Sequence, residues 1–204
     1  MPKKSAHSHK SRQVPTTKKV ASLSERKAIT ISKTAKAASI PQKSAKFTWS
    51  DLWHVLLSIF VCQLAGVIGS FFTFSEIPNW YAFLEKPFFT PPSWLFGPVW
   101  TTLYTLMGIA LFVSCKYGKP AALSTRASYW FYAQLAVNAL WSIVFFGFHS
   151  LWGGLVTIVI LWLLIFKTIQ LFSQVNKTAA WLMIPYIMWV SFATVLNLAL
   201  AILN

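Results

Sequence analysis

The sequence has few charged residues and very few acidic ones. Of its 204 residues only 11% are charged, whereas about a quarter of the residues in an ordinary soluble domain are charged. Only four residues are Asp or Glu, and the apolar segments contain no carboxylate pair, no His–Cys cluster and no plausible Ser–His–Asp set. Ion-coupled pumps carry an acid or base inside the membrane. The composition therefore argues against such pumps and against ordinary hydrolytic catalysis, and no catalytic residue, metal or cofactor is expected.

Cysteines are also scarce, and the first 46 residues lack the apolar run that a signal peptide would need. Cys62 and Cys115 are the only cysteines, and we interpret both as small core hydrophobes because they lie in or at the end of apolar segments. Residues 1–46 hold no apolar run, so no signal peptide is expected ahead of the first apolar segment.

The first 46 residues differ sharply in composition from the rest. They hold 12 of the 18 Lys and Arg residues and a single acid, Glu25. Such a segment cannot bury enough apolar surface to fold, so residues 1–46 are predicted to be a disordered basic tail. Three roles are open: a solvated arm that contacts anionic lipid headgroups, a transit-like targeting segment, or nucleic-acid binding. Nucleic acid is not an expected partner, because no folded reader accompanies the charge.

Residues 47–204 contain five apolar segments, each long enough to cross a bilayer as a helix, which takes about 20 residues. The ten-residue alternation of membrane strands is absent. The fold class predicted is all-α, an integral membrane bundle of five transmembrane helices. The spans are predicted at about residues 52–74, 94–115, 127–148, 153–172 and 179–203.

The distribution of Lys and Arg predicts the topology. The tail and the second and fourth connections are positive, whereas the first connection has one Lys and two Glu. By the positive-inside rule, the N-terminus lies on the cytoplasmic-type side, and loop one and the C-terminus lie opposite. Which membrane holds the protein stays open.

Several spans place tryptophan on one helical face with polar or small residues. Helix packing alone explains such residues when Asn and Gln bond across helices, whereas a cavity for a flat hydrophobic ligand would also be walled by them. The faces are Gln134–Asn138–Trp141–Phe145, Trp100–Tyr104–Gly108 and Tyr186–Trp189–Ala193–Asn197.

Prolines crowd the segment before the second span. Pro87, Pro91, Pro92 and Pro98 precede or enter the first turn of that helix, where a missing N–H is tolerated. Ser93 is predicted to cap the helix. The stretch is predicted to form a rigid lid over the outer mouth of the bundle.

Three motifs follow one another along the membrane part of the chain: WYAFLEKPFFTPPSWLFGPVWTTLYTLMGIA (80–110), QLAVNALWSIVFFG (134–147) and PYIMWVSFATVLN (185–197). In this order they resemble the TspO/MBR family of tryptophan-rich sensory and translocator proteins. The resemblance covers about residues 52–204. It implies a five-helix bundle, often a homodimer, with a pocket open towards loop one.

The resemblance also implies a function and a set of pocket residues. Family members bind porphyrin and haem, so a tetrapyrrole is the ligand implied, as a ligand and not as a cofactor. The residues that the motifs carry over are Tyr81, Trp100, Asn138, Trp141, Trp189 and Ala193, to which Tyr104 is added from its helical face. A membrane receptor or sensor is the preferred function; transport of porphyrins or lipids and light-dependent porphyrin breakdown are the alternatives.

The sequence departs from the animal members of the family at its last helix. After Leu196 the chain has neither Tyr nor a basic residue, which argues against cholesterol binding by the pattern used there. The physiological ligand, the role of the tail and the choice between sensing, transport and breakdown are left open by the sequence.

Overall fold

The computed structural model describes residues 48–204, so the tail predicted to be disordered lies outside the described residues. The α-helices in this part are α1 (Trp49–Phe74), α2 (Glu76–Asn79), α3 (Phe96–Tyr117), α4 (Ala121–Ser142), α5 (Leu151–Val175), α6 (Lys177–Leu182) and α7 (Ile184–Leu203). Five helical segments, α1, α3, α4, α5 and α6 with α7, are long and apolar enough to cross a membrane. The prediction of an all-α bundle with five spans is confirmed.

Helix boundaries differ from the prediction where a span begins with polar residues or where a 3₁₀ or π turn begins or ends it. The third span starts at Ala121, six residues before the predicted 127. The prediction began too late because Ser124, Thr125 and Arg126 interrupt the apolar run there. It ends in a π-helical turn, Ile143–Gly147. The second span opens with the 3₁₀ turn Ser93–Leu95 and becomes α-helical at Phe96, and no side-chain cap bond from Ser93 is formed. Pro98 then lies in the first α-helical turn, where its missing N–H needs no partner.

The spans form a closed ring in cross-section. Going round the bundle, α3 packs on α1, α1 on α4, α4 on α5, and α5 on α6 and α7, which return to α3. Loop one (residues 75–95) covers one end, and we call the adjoining part the loop-one half. The other part, which includes Thr48 and the α3–α4 turn, is the opposite half.

The opposite half is closely packed. Gly108 of α3 lies so near α1 that an added Cβ would sit 2.5 Å from the Ile59 Cα. Phe131 stacks on Phe172 with centroids 5.9 Å apart, and both rings are fully buried. Asp51, in the first turn of α1, forms an ion pair with Lys116 in the last turn of α3. These contacts hold the spans together at that end.

Apolar side chains cover the outer surface of the bundle. On α1, Leu57, Phe60 and Phe71 are all more than half exposed, which suits a helix whose outer face lies against lipid chains. Together with the span lengths, this surface makes the protein a multi-pass integral membrane protein.

Candidate ligand-binding cavity

A cavity of about 520 Å³ lies in the loop-one half, beneath loop one. Four spans wall it: α1, α3, α4 with its π turn, and α7. The residues of α1 and loop one that line it are Gln63, Gly66, Val67, Gly69, Ser70, Thr73, Phe74, Ile77, Tyr81, Ser93 and Trp94. Those of the other spans are Phe96, Gly97, Trp100, Thr101, Tyr104, Trp141, Ser142, Phe145, Phe146, Ala193, Leu196, Asn197 and Leu200.

Five of the seven predicted site residues meet at this cavity. Tyr81 comes from loop one, Trp100 and Tyr104 from α3, Trp141 from α4 and Ala193 from α7. They are far apart in sequence, and only the antiparallel packing of the spans brings them together. Whether they contact a ligand stays a prediction.

Two stacked aromatic pairs form parts of the cavity wall. The Trp100 and Tyr104 rings are 5.5 Å apart at 29°, and the Trp141 and Phe145 rings are 5.3 Å apart at 27°. Each pair belongs to one helix at a spacing of four residues, which places both rings on the same face. Flat aromatic surfaces of this kind suit a planar, apolar ligand.

Asn138, the sixth predicted residue, is not in the wall but behind it. It is only 2% exposed and accepts a hydrogen bond from the Tyr104 hydroxyl at 2.5 Å. Its amide donates to the Tyr186 hydroxyl at 3.1 Å, and that hydroxyl donates to Gln134 Oε1 at 2.9 Å. The chain of bonds joins three spans and fixes the Tyr104 ring. Asn138 therefore positions a wall residue.

Trp189, the seventh, also lies outside the cavity wall. Its ring packs against Phe96 at 5.9 Å and Phe192 at 5.5 Å, at the contact between α3 and α7. The indole Nε1 is buried and has no hydrogen-bond partner among residues 48–204. Trp189 thus fills the space between two spans.

Several polar side chains line the cavity, and most of them already form hydrogen bonds within the protein. The Tyr81 hydroxyl is buried without a partner in the described part of the chain. Burial raises the pKa of Tyr81 above its usual value, so at neutral pH the hydroxyl keeps its proton and can donate to a ligand oxygen. Asn197 accepts from the Trp141 indole at 3.3 Å and donates to the Leu151 carbonyl at 2.9 Å. The tryptophan ring is therefore held in place.

Loop one is fastened to the α4–α5 turn by a charged and stacked contact. Glu76 Oε2 lies 2.8 Å from His149 Nε2, and the Trp80 ring stacks on the imidazole at 4.6 Å and 14°. His149 has a φ of 51°, a left-handed conformation in which His is enriched among non-glycine residues. We call this contact the Glu76–Trp80–His149 latch. It holds one side of loop one, which forms the roof of the cavity.

A second set of bonds holds the other side of the roof. The Asn204 side chain accepts from the Glu85 N–H at 2.9 Å and donates to the Glu85 carbonyl at 3.1 Å. Lys86 Nζ donates to the Ala82 and Leu84 carbonyls and lies 4.9 Å from the centre of the Tyr81 ring. Below these bonds Tyr81 packs on Phe146. The roof is therefore fixed at both edges.

The cavity and its roof differ in charge. None of the residues that line the cavity, all within 48–204, is charged, whereas the roof carries Glu76, Glu85, Lys86 and His149. In the described range no group of three His, Cys, Asp or Glu residues is placed to hold a metal ion. The arrangement suits a ligand with an apolar body and a polar end that reaches the roof.

Sequence reasoning missed most of the α1 wall. Val67, Ser70, Thr73 and Phe74 line the cavity, but α1 is apolar around most of its circumference, so no periodic signal separates its cavity face from its lipid face. Phe145 was on the predicted face with Trp141 and could have been included. Phe146 owes its place to the π turn, which the sequence pattern does not indicate.

Comparison with known proteins gives a consistent result. The model of the TspO/MBR family matches residues 58–203. The tryptophan-rich protein TspO of Archaeoglobus fulgidus is 43% identical over 154 residues, which are 76% of this chain and 99% of that protein. Protein CrtK of Rhodobacter capsulatus is 38% identical, covering 70% and 88%. The human translocator protein is 36% identical, covering 66% and 80%.

The family match covers α1 from Ser58 onward and all of α3 to α7, and it includes every residue that lines the cavity. The resemblance inferred from the three motifs is confirmed, and this chain belongs to the TspO/MBR family.

Proposed function

We propose that the protein is a membrane receptor or sensor that binds tetrapyrroles, such as porphyrin and haem, or similar flat lipophiles in the cavity beneath loop one. The observation that carries the proposal is the uncharged cavity of about 520 Å³ between two aromatic stacks. Its size lies within the range of about 300–1,000 Å³ usual for small-molecule sites.

The polar ends of the ligand would lie at the roof. A tetrapyrrole carries carboxylate side chains, which need hydrogen-bond donors and positive charge. The Tyr81 hydroxyl is a buried donor without a partner in the described chain, and the Lys86 ammonium lies over the Tyr81 ring. The macrocycle would then lie between the Trp100 and Trp141 walls. This orientation follows from the position of the Lys86 ammonium and the Tyr81 hydroxyl at the roof.

Binding is favoured over passage through the bundle by the depth of the cavity. Its deepest lining residues are Gln63 and Tyr104; beyond them α1 and α3 touch at Ile59 and Gly108. A transporter would need this contact to open. Light-dependent breakdown is a second use of the same site, because an indole at Trp100 or Trp141 would lie against the excited macrocycle.

The test is a titration of the full-length protein with protoporphyrin IX in detergent, in the dark, followed by the porphyrin Soret band. The wild type is expected to bind saturably. Replacing both wall tryptophans, Trp100→Phe with Trp141→Phe, is expected to weaken binding about tenfold, because each phenyl ring covers less of the macrocycle than the larger indole, a loss of about 0.7 kcal/mol at each position.

The matched control is Trp130→Phe with Trp162→Phe, two tryptophans outside the cavity, which should leave the affinity unchanged. Equal weakening in both double variants, or a wild type that does not saturate, would reject the proposed site. Illuminating the saturated wild-type sample then tests for breakdown.

A homodimer, bound membrane lipids and the predicted orientation stay predictions, to be tested by light scattering and by labelling from each side of a vesicle.

A further inference from the structure

We infer that the ligand enters the cavity sideways from the bilayer, through a window between the loop-one ends of α1 and α3, and not through the roof. This inference rests on the proposed function, because it concerns the route to the same cavity. The window is formed by Ser70, Thr73 and Phe74 of α1 and by Trp94, Gly97 and Thr101 at the start of the second span.

The gap between α1 and α3 widens steadily towards loop one. At Gly108 an added Cβ would sit 2.5 Å from the backbone of Ile59, so the helices touch. At Gly66 it would sit 2.5 Å from the Tyr104 ring, so one aromatic ring separates them. At Gly97 it would meet no atom within 4 Å. Two helices that touch at one end and part at the other leave an opening on the membrane side.

Gln63 marks the inner edge of this opening. Its Nε2 donates across the seam to the Thr101 carbonyl at 3.0 Å and to Thr105 Oγ1 at 3.1 Å. Nearer loop one, the hydroxyls of Ser70, Thr73 and Thr101 all donate to carbonyls of their own helices. In the described chain the Gln63 bonds are therefore the last side-chain bonds from α1 to α3 on the way to loop one, and parting the helices beyond Gln63 breaks none.

The cavity is continuous with the lipid-facing surface at this window. Phe74 and Trp94 line the cavity, yet they are 77% and 72% exposed. Each of these two side chains therefore contacts both the cavity and the membrane. A flat lipophile dissolved in the bilayer can cross here between apolar surfaces, without the cost of entering water.

The roof presents the opposite situation. Tyr81 and Phe146 are buried there, and the Glu76–Trp80–His149 latch and the Asn204–Glu85 bonds fasten both edges. Opening the roof breaks the Glu76–His149 hydrogen bond, the two Asn204–Glu85 hydrogen bonds and several ring contacts, whereas opening the window breaks none of these. The window is therefore the easier route.

The experiment places a removable plug in the window. Gly97→Cys is made in a Cys115→Ala background. Cys62 is fully buried, as predicted, whereas Cys115 is exposed, so the prediction that it lies in the core is wrong. A benzyl methanethiosulfonate reagent adds a bulky group to Cys at 97, and dithiothreitol removes it from the same sample. Protoporphyrin IX binding is measured by stopped flow in phospholipid vesicles. Thr102→Cys is the matched control, because Thr102 is exposed on α3 but does not line the cavity.

A plugged entrance slows arrival and departure together. Modification at 97 is expected to lower both the association rate and the dissociation rate by about tenfold or more, whereas ordinary contact changes act mainly on dissociation and would raise it. Reduction should restore both rates, and modification at 102 should change neither.

Unchanged rates on modification at 97, with saturable binding, would overturn the window but not the proposed function. Slower association with an unchanged dissociation rate would also overturn it, because a group that obstructs the only route in must also obstruct the route out. A wild type that binds no porphyrin would reject the proposed function itself.

Discussion

The two halves of the bundle are built from the same five spans but in contrasting ways. In the opposite half, α1 and α3 touch at Ile59 and Gly108 and the space between spans is filled by buried rings such as Phe131 and Phe172. In the loop-one half, the same helices separate and leave a cavity of about 520 Å³. The contrast teaches that close contacts can fix a bundle at one end while the other end stays open enough to bind.

The largest expected effect comes from making the same substitution in each half of α3. Gly108→Ala places a methyl group against the Ile59 backbone, which cannot move aside as a side chain would, so we expect a loss of about 3 kcal/mol. Gly97→Ala meets open space and should be neutral or stabilising by up to about 1 kcal/mol, because Ala favours the helix. Thermal melting in detergent measures both. Equal melting temperatures for the two variants would refute the contrast between the halves.

An intermediate effect is expected from the buried hydrogen-bond chain that joins the two halves. Asn138→Leu leaves the Tyr104 hydroxyl without its acceptor and Tyr186 without a donor, so we expect a loss of about 2 kcal/mol. Gln134→Leu should cost less, because Gln134 Nε2 already lacks a partner in the described residues. Chemical denaturation in detergent ranks the two variants, and a larger loss for Gln134→Leu would show that the chain is assigned wrongly.

The smallest effect on stability is expected at the latch of the roof. Glu76→Gln removes the carboxylate that bonds to His149 Nε2, and a partly exposed hydrogen bond of this kind contributes about 1 kcal/mol. The melting temperature should hardly change, whereas amide exchange in residues 76–86 should quicken. Glu85→Gln is the control, since the bonds from Asn204 go to the Glu85 backbone. Equal exchange in the two variants would mean that the latch does not hold the roof.

The sequence predicts the spans well and the cavity only in part. Long apolar runs identify a membrane helix from composition alone, so five spans were found. The start of α4 at Ala121 was missed because its first turns are polar, although Ser124 is buried and bonds the Ser114 carbonyl. Such a bond depends on a neighbouring span and leaves no periodic signal in the sequence.

Trp141 and Trp189 show why the site was harder to predict than the fold. Both are mid-span tryptophans spaced with Asn or Ala on one helical face, and both were predicted to line the pocket. Trp141 does so, whereas Trp189 packs between α3 and α7 against Phe96. Helical spacing places a residue on a face but does not reveal whether a cavity or another helix covers that face.

The most direct test of the central claim is ¹⁹F NMR of the protein labelled with 5-fluorotryptophan and titrated with protoporphyrin IX. Each resonance is assigned by a single Trp→Phe variant. A macrocycle in the cavity should shift the resonances of Trp94, Trp100 and Trp141, which line it, and leave those of Trp130, Trp162 and Trp181 in place. Shifts at Trp130 or Trp181 without shifts at Trp100 and Trp141 would contradict the account, because the ligand would then bind elsewhere.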